Sequence, residues 1–348
     1  MRRFLTLLAA VWLLAACGSP EPWRTESYVF GTRVELAVAG VPEARARAAA
    51  DRVLRDFDVL HRTYHAWQPS ELSALNESIA AGRRHEVSAE FAAYIREAQA
   101  VAAAGEHLFD PGIGRLIALW GFHADEIQPR LPDADALKAL VARRPTIADL
   151  KLEGGRVSSR NPSVALDFGG YLKGVALDRA AASLKADGIA NALINIGGNV
   201  MALGTRDGAG TPWRVGIQHP RPQAVGGAPL ATLELRDGEA IGTSGDYHRY
   251  FEVDGRRYCH LLDPRSGYPA AGTQAVTVLI APGKAAGMRS DALSKPIFIA
   301  GADWRAMARK LGVEAVLRVG ADGTASVTPA MQARLKIDQP DLKLALVP

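Results

Sequence analysis

Behind Met1-Arg2-Arg3 the chain runs apolar from Phe4 to Ala16, with Thr6 as the one polar residue. That stretch reaches only about 20 Å as a helix, short of the ~30 Å hydrocarbon core, so it predicts a signal-peptide core and not a membrane span. The apolar positions then change period. From Tyr28 to Val38 the even positions Tyr28, Phe30, Val34, Leu36 and Val38 are apolar, which predicts a strand. Gly31 inside it reads as a bulge or a close approach. From Pro42 to Leu60 the spacing places Val53, Leu54, Phe57 and Leu60 on one helical face. Ser88 is the cap of a second predicted helix that runs through Ala104 and stops at Gly105, and a third covers Ala134 to Arg143. From Val164 onward the pattern shortens into strands between glycine turns. They are Val164–Phe168, Ala192–Ile196, Trp213–Gln218, Ala231–Leu235, Tyr258–Leu262, Ala275–Ile280 and Ala315–Val319. Helices are expected at Lys173–Lys185, stopped by Gly188, and at Trp304–Leu311, and a loop at Arg221–Ala228. Helices concentrated early and strands late predict an α+β fold and not a βαβ repeat.

Composition narrows the class. Apolar residues make up 48% and charged residues 22%, which excludes a mainly disordered chain. The net charge of +4 comes without a run of five basic residues, so nothing calls for nucleic acid. Leu14-Ala15-Ala16-Cys17 resembles the lipobox of bacterial lipoproteins, in which the cysteine is lipidated and becomes the first residue. An ordinary cleavage site with an incidental cysteine is the alternative. The expected division is a signal peptide at 1–16, a lipidated tether at 17–25 and a folded body at 26–348. Acyl chains on Cys17 would anchor the protein to a membrane, facing the periplasm. Gly18 in place of aspartate after the cysteine favours the outer membrane. Only Cys17 and Cys259 exist, so lipidation leaves no intrachain disulfide, and Cys259 is expected as a small buried apolar residue.

Four clusters carry chemistry. In Asp167-Phe168-Gly169-Gly170-Tyr171-Leu172-Lys173-Gly174, glycines open a helix whose first turn holds a lysine, which suits phosphate or is simply a turn. Asn195-Ile196-Gly197-Gly198-Asn199 reads as a tight turn. Gly242–Tyr247 and Cys259–Pro269 gather Ser, Asp, His and Arg around glycines, with His260 three residues before Asp263. In Ser290-Asp291-Ala292-Leu293-Ser294-Lys295-Pro296, Asp291 and Ser294 share a face if a helix begins there. Such oxygens suit Mg²⁺, and a helix cap by Asp291 fits equally.

Taken together and in order, these pieces resemble the bacterial FAD:protein FMN transferases, the ApbE-type lipoprotein family. Phe30-Gly31-Thr32, Thr63-Tyr64, Ser70-Glu71-Leu72-Ser73, Phe109-Asp110-Pro111 and Trp120-Gly121-Phe122 add to the match, which spans nearly the whole mature chain. The resemblance implies a two-part body with the nucleotide between the parts. It implies FAD held by Phe30, Tyr64, Leu108, Phe109, Asp110, Asp167 and Lys173, and Mg²⁺ held by Gly170, Asp291 and Ser294. The implied reaction moves FMN from FAD to a threonine or serine hydroxyl of a flavin-accepting subunit of an electron-transfer complex, and releases AMP. A hydroxyl must lose a proton to attack phosphorus, and an imidazole with its ordinary pKa near ~6.5 is the natural base. His260 is the expected base, with Asp263 as its orienting or structural neighbour. Two positions depart from the family: Phe30 stands where methionine is frequent, and Lys295 where a threonine binds the metal. A protonated lysine cannot ligate Mg²⁺. Two other readings remain, an FAD pyrophosphatase that uses water as acceptor and a binding lipoprotein that stores FAD.

Overall fold

The computed structural model describes residues 21–221, 227–337 and 344–347. Cys17 and its lipobox lie outside these residues, as does most of the loop expected at 221–228. The centre is a nine-stranded sheet whose strands lie side by side in chain order. They are β1 (Trp23–Val29), β2 (Thr32–Ala39), β3 (Asn191–Ile196), β4 (Asn199–Leu203), β5 (Ala240–Gly245), β6 (Thr273–Ile280), β7 (Ala315–Gly320), β8 (Ala325–Val327) and β9 (Leu344–Leu346). Neighbours are antiparallel except β8 and β9, which run parallel. The helices are α1 (Glu43–Thr63), α2 (Glu71–Ala80), α3 (Ala89–Ala104), α4 (Gly114–Leu119), α5 (Ala134–Ala142), α6 (Leu172–Ala186), α7 (Ala286–Ile299), α8 (Trp304–Lys310) and the short α9 (Pro329–Gln332). The expected α+β class holds.

Three apolar layers position everything else. α1, α6 and α7 cover one face of the sheet. On the other face Ala37, Ala39, Val200 and Ala202 pack under a small three-stranded sheet through Trp213 and Leu233. A separate cluster joins Trp120, Phe122 and Leu137 to Phe251 and Tyr258 of the hairpin Tyr250–Val253/Arg256–Cys259. Cys259 is buried with a free thiol, which burial pushes up to about 12.

The strand expected over Tyr28–Val38 is a hairpin. Val29 pairs with Thr32, and the two loop residues Phe30 (φ +57°) and Gly31 (φ +67°) are left-handed, the pattern of a type I′ turn. A two-residue loop leaves the alternation unbroken on both sides, so the sequence reads as one strand. The first strand of the hairpin spans Trp23–Val29.

Val164–Phe168 is not a strand either; only Ala165 makes a bridge, parallel to Ile113. Val164, Leu166 and Phe168 are buried, so the segment crosses the core in extended form. Its backbone is satisfied by a loop and one side chain. Ala165 N–H donates to Gly112 O and Asp167 N–H to Pro111 O, while Leu166 exchanges hydrogen bonds with the Asn76 amide.

Candidate functional site

Helix α7 is buried along nearly its whole length. A helix enclosed on all sides is normally apolar, yet this one carries Ser290, Asp291, Ser294 and Lys295. Asp291 lies inside the helix, so the capping reading fails. Its side chain faces α6, where Oδ2 accepts the Gly174 N–H at 3.0 Å. α6 and α7 can approach this closely because glycines meet at the crossing. A Cβ on Gly174 would lie 2.5 Å from Gly287 O, and one on Gly287 2.6 Å from Gly174 O.

Lys295 Nζ lies 2.6 Å from Asp291 Oδ1 and also donates to the Asp291 carbonyl at 2.7 Å. Burial pushes the Asp291 carboxyl up, but Lys173, Lys295 and the Gly174 N–H outweigh it and hold the group ionised. Burial and Lys173 push Lys295 down against the pull of Asp291. The contact is an ion pair, since a neutral amine would strand a buried carboxylate. The lysine stem crosses Gly170: a Cβ there would lie 2.6 Å from Lys295 Cε and 2.9 Å from Phe109 Cε2. Lys295 Nζ lies 5.8 Å from the Phe109 ring centre. Ser294 Oγ donates to the Asp291 carbonyl and pairs with Ser244 Oγ, both at 2.8 Å.

These residues do not fit the Mg²⁺ that the family resemblance implies. Each Asp291 oxygen already meets a donor, the Ser294 hydroxyl is hydrogen-bonded twice, and an ammonium stands between Gly170 and Asp291. At ~4 Å and an effective dielectric of ~20, a unit charge repels a divalent ion by roughly 8 kcal/mol. Among the described residues no three His, Cys, Asp or Glu side chains group as a metal site.

His260 follows the hairpin strand Arg256–Cys259, and its ring packs edge-on to Phe122. Nδ1 lies 3.1 Å from the Arg249 carbonyl. A carbonyl only accepts, so Nδ1 carries the hydrogen and Nε2 keeps its lone pair. Burial, Lys173, Arg249 and Lys295 hold the imidazole down at about 3. It is neutral at physiological pH. Asp263 does not orient it: that carboxylate binds Arg265 through its backbone N–H at 2.9 Å and through its guanidinium, tying a turn. The orienting group is Arg249, whose guanidinium also holds the Phe122 and Ala124 carbonyls.

The residues expected around flavin fall into two connected groups. Phe109 joins Gly170 and Lys295, as above, beside buried Leu108. Asp110 shapes the loop: its carboxylate accepts the Gly112 and Ile147 N–H groups and bonds His107 and Thr146. Lys173 donates to Gly169 O at 3.0 Å in the first turn of α6. Asp167 bonds Gly169 N–H at 2.7 Å and His123 Nε2 at 2.8 Å. Burial pushes its carboxyl up, and these two bonds bring it below the ordinary range. From His123 a run of ring contacts passes through Trp67, His65 and His61 to Phe30. Tyr64 packs among Phe91, Tyr94 and Phe168 beneath this row. His123 and Arg249 were not anticipated. His123 directly follows Trp120-Gly121-Phe122, a signal that was legible; nothing in the sequence marks the carbonyl of Arg249.

The arrangement therefore combines a neutral imidazole with a free lone pair, two lysines beside one carboxylate, and a row of aromatic rings. The ApbE family model matches residues 30–317. The chain belongs to the ApbE family. The FAD:protein FMN transferase of Rhodobacter capsulatus is 43% identical over 335 residues, covering 95% of this chain and 61% of that protein. That of Vibrio cholerae is 32% identical, covering 77% and 80%. This chain thus spans about three-fifths of the R. capsulatus protein's length. Among solved structures, the ApbE protein of Thermotoga maritima matches with TM-score 0.81 and 30% identity, over 90% of this chain and 99% of that one. The apo flavinyl transferase ApbE of Pseudomonas stutzeri matches with TM-score 0.76 and 27% identity, over 90% and 96%.

Proposed function

We propose that this ApbE-family protein transfers FMN from FAD to a threonine or serine hydroxyl of a partner protein and releases AMP. The observation that carries the reading is the tautomer of His260, whose Nε2 lone pair is available at neutral pH. Nε2 takes the hydroxyl proton and the oxygen attacks the FMN phosphorus. The bond from that phosphorus to the bridging oxygen breaks, and AMP leaves with the bridging oxygen. Lys173 and Lys295 lie on the cluster where charge gathers, and stabilising that charge is the larger part of phosphoryl transfer. The aromatic row from Phe30 to His123 offers faces for the flavin, with the nucleotide between the sheet-and-helix body and the His260 hairpin.

Incubation with FAD and an acceptor carrying a flavinylation threonine tests this. The acceptor should gain the mass of FMN and in-gel fluorescence, with AMP in solution. AMP without acceptor modification would mean that water is the acceptor. Intact bound FAD with no turnover would mean storage.

Lipidation of Cys17 and attachment to the periplasmic side of a bacterial membrane, the outer one by Gly18, belong to the same reading, and the sequence Leu14-Ala15-Ala16-Cys17 supports them. The acceptor is then a subunit of an electron-transfer complex exposed on that side. No helix among the described residues is long and apolar enough to cross a membrane. Metabolic labelling with a fatty acid, lost in Cys17→Ala, checks the anchor.

A further inference from the structure

The FAD site just proposed needs positive charge at its pyrophosphate, and the residues found there exclude a divalent ion at Asp291. We infer that the Lys295 ammonium is a built-in cation that replaces the metal, so that this chain binds FAD without Mg²⁺. The inference rests on the flavin-transferase reading only for the identity of the anion.

Three observations support it. The first is position. Lys295 is 7% exposed on a buried helix, its Nζ is 2.6 Å from Asp291 Oδ1, and its stem fills the space over Gly170. A lysine that merely tolerated the site would extend to solvent, since burying an ammonium is costly unless it is paired. The second is ligand engagement. Both Asp291 oxygens and the Ser294 hydroxyl have protein partners, and a metal at Asp291 Oδ1 would have to displace the Lys295 ammonium. The third is charge. Lys173 and Lys295 both act on the Asp291 carboxylate, so two ammonium groups oppose a further cation beside it and favour an anion.

An ammonium neutralises a phosphate as a point charge. Two of its N–H groups are held by Asp291, which fixes the head in place, and the third has no partner among the described residues. The side chain is thereby pre-positioned for an anionic oxygen, and little rotamer freedom is lost when FAD arrives.

The test needs no acceptor and no turnover, so an absence of transfer activity leaves it decisive. Mn²⁺ binding to the natural protein is followed by electron paramagnetic resonance, and FAD binding by flavin fluorescence in EDTA and in millimolar Mg²⁺. The natural protein should show no saturable Mn²⁺ site, and its FAD affinity should change by less than about twofold between EDTA and Mg²⁺. Lys295→Thr should lose about tenfold or more in FAD affinity in EDTA and recover it with Mg²⁺, gaining a Mn²⁺ site. Stoichiometric Mn²⁺ binding by the natural protein, or equal Mg²⁺ dependence in both proteins, would overturn the inference. The Mn²⁺ titration of the natural protein decides the matter even if Lys295→Thr does not fold.

Discussion

The Arg249 carbonyl accepts the Nδ1–H of His260 at 3.1 Å, and this one contact selects Nε2 as the basic nitrogen. It fixes the tautomer with the free lone pair on Nε2. Burial and the flanking cations keep that lone pair unprotonated far below the ordinary imidazole range. His260→Ala should therefore cut kcat by ~10²–10⁴, the usual worth of a general base, with FAD affinity changed by less than about threefold. Loss of binding and turnover together would make His260 a structural residue.

The same geometry sets the pH profile. The acid limb of kcat/KM, which reports the free enzyme, should lie well below the ~6.5 of an ordinary imidazole. A limb centred near ~6.5 would mean that His260 is solvated or is not the base.

Asp263 gives the opposite result to a triad aspartate. Its carboxylate ties Arg265 into a turn, so Asp263→Asn should lower stability by ~1 kcal/mol and leave kcat within about threefold. A hundredfold fall in kcat at unchanged stability would show that Asp263 serves His260 after all.

Gly174→Ala should be among the most destabilising substitutions to a small residue. Its Cβ would lie 2.5 Å from Gly287 O and 2.6 Å from Met288 Cα, and neither is the end of a flexible side chain. Overpacking of this kind costs ~3 kcal/mol or more. It would also push α6 from α7 and break the Gly174–Asp291 hydrogen bond. A denaturation midpoint equal to that of the natural protein would refute the close crossing.

Phe30 sits left-handed in a type I′ turn, where asparagine is favoured and an aromatic ring is strained. Phe30→Asn should relieve backbone strain and lose ring contact with Phe57 and His61. These effects oppose each other, so stability should shift by less than ~1 kcal/mol while FAD binding weakens. A large loss of stability with full FAD affinity would place the ring in the core alone.

Acidification should destabilise the fold. Burial lowers the imidazole pKa of His61, His65, His248 and His260, so below the unfolded value of ~6.5 the unfolded chain takes up protons that the folded one refuses. Stability is then lost as pH falls from that value. His107, raised by its bond to Asp110, acts the other way and is outnumbered. A melting temperature that rises between pH 7 and 5.5 would contradict these buried environments.

Much of the fold was legible because local rules acted without competition. Ser88 accepts the Phe91 N–H and Gly105 ends α3, as the capping pattern requires. The helix ending before Gly188 and most of the late strands follow their periodicity. α2 was missed, although Ser70 and Ser73 form a capping box at its start, because serine stands there in place of the usual glutamate. Alternation of apolar residues cannot distinguish a strand from a hairpin with a two-residue loop, nor from a core-crossing segment such as Val164–Phe168 whose partners lie far away in sequence.

The sequence by itself determined the chemistry available: a histidine, two lysines, an aspartate among glycines, and a lysine where the family has threonine. Residue type sets what can donate, accept or carry charge, and order along the chain was enough to recognise the family. Tertiary structure decided what each group does. It turned Lys295 inward onto Asp291 and engaged Asp263 with Arg265. It gave His260 the Arg249 carbonyl, and it used Gly174 to bring two helices into contact. These outcomes depend on which backbone and which charges lie within about 3 Å of a side chain. The helix crossing at Gly174 joins residues far apart in the chain and leaves no local pattern, whereas Lys295–Asp291, Asp263–Arg265 and His260–Arg249 are near neighbours whose spacing does not say which way the side chains turn once the surroundings bury them.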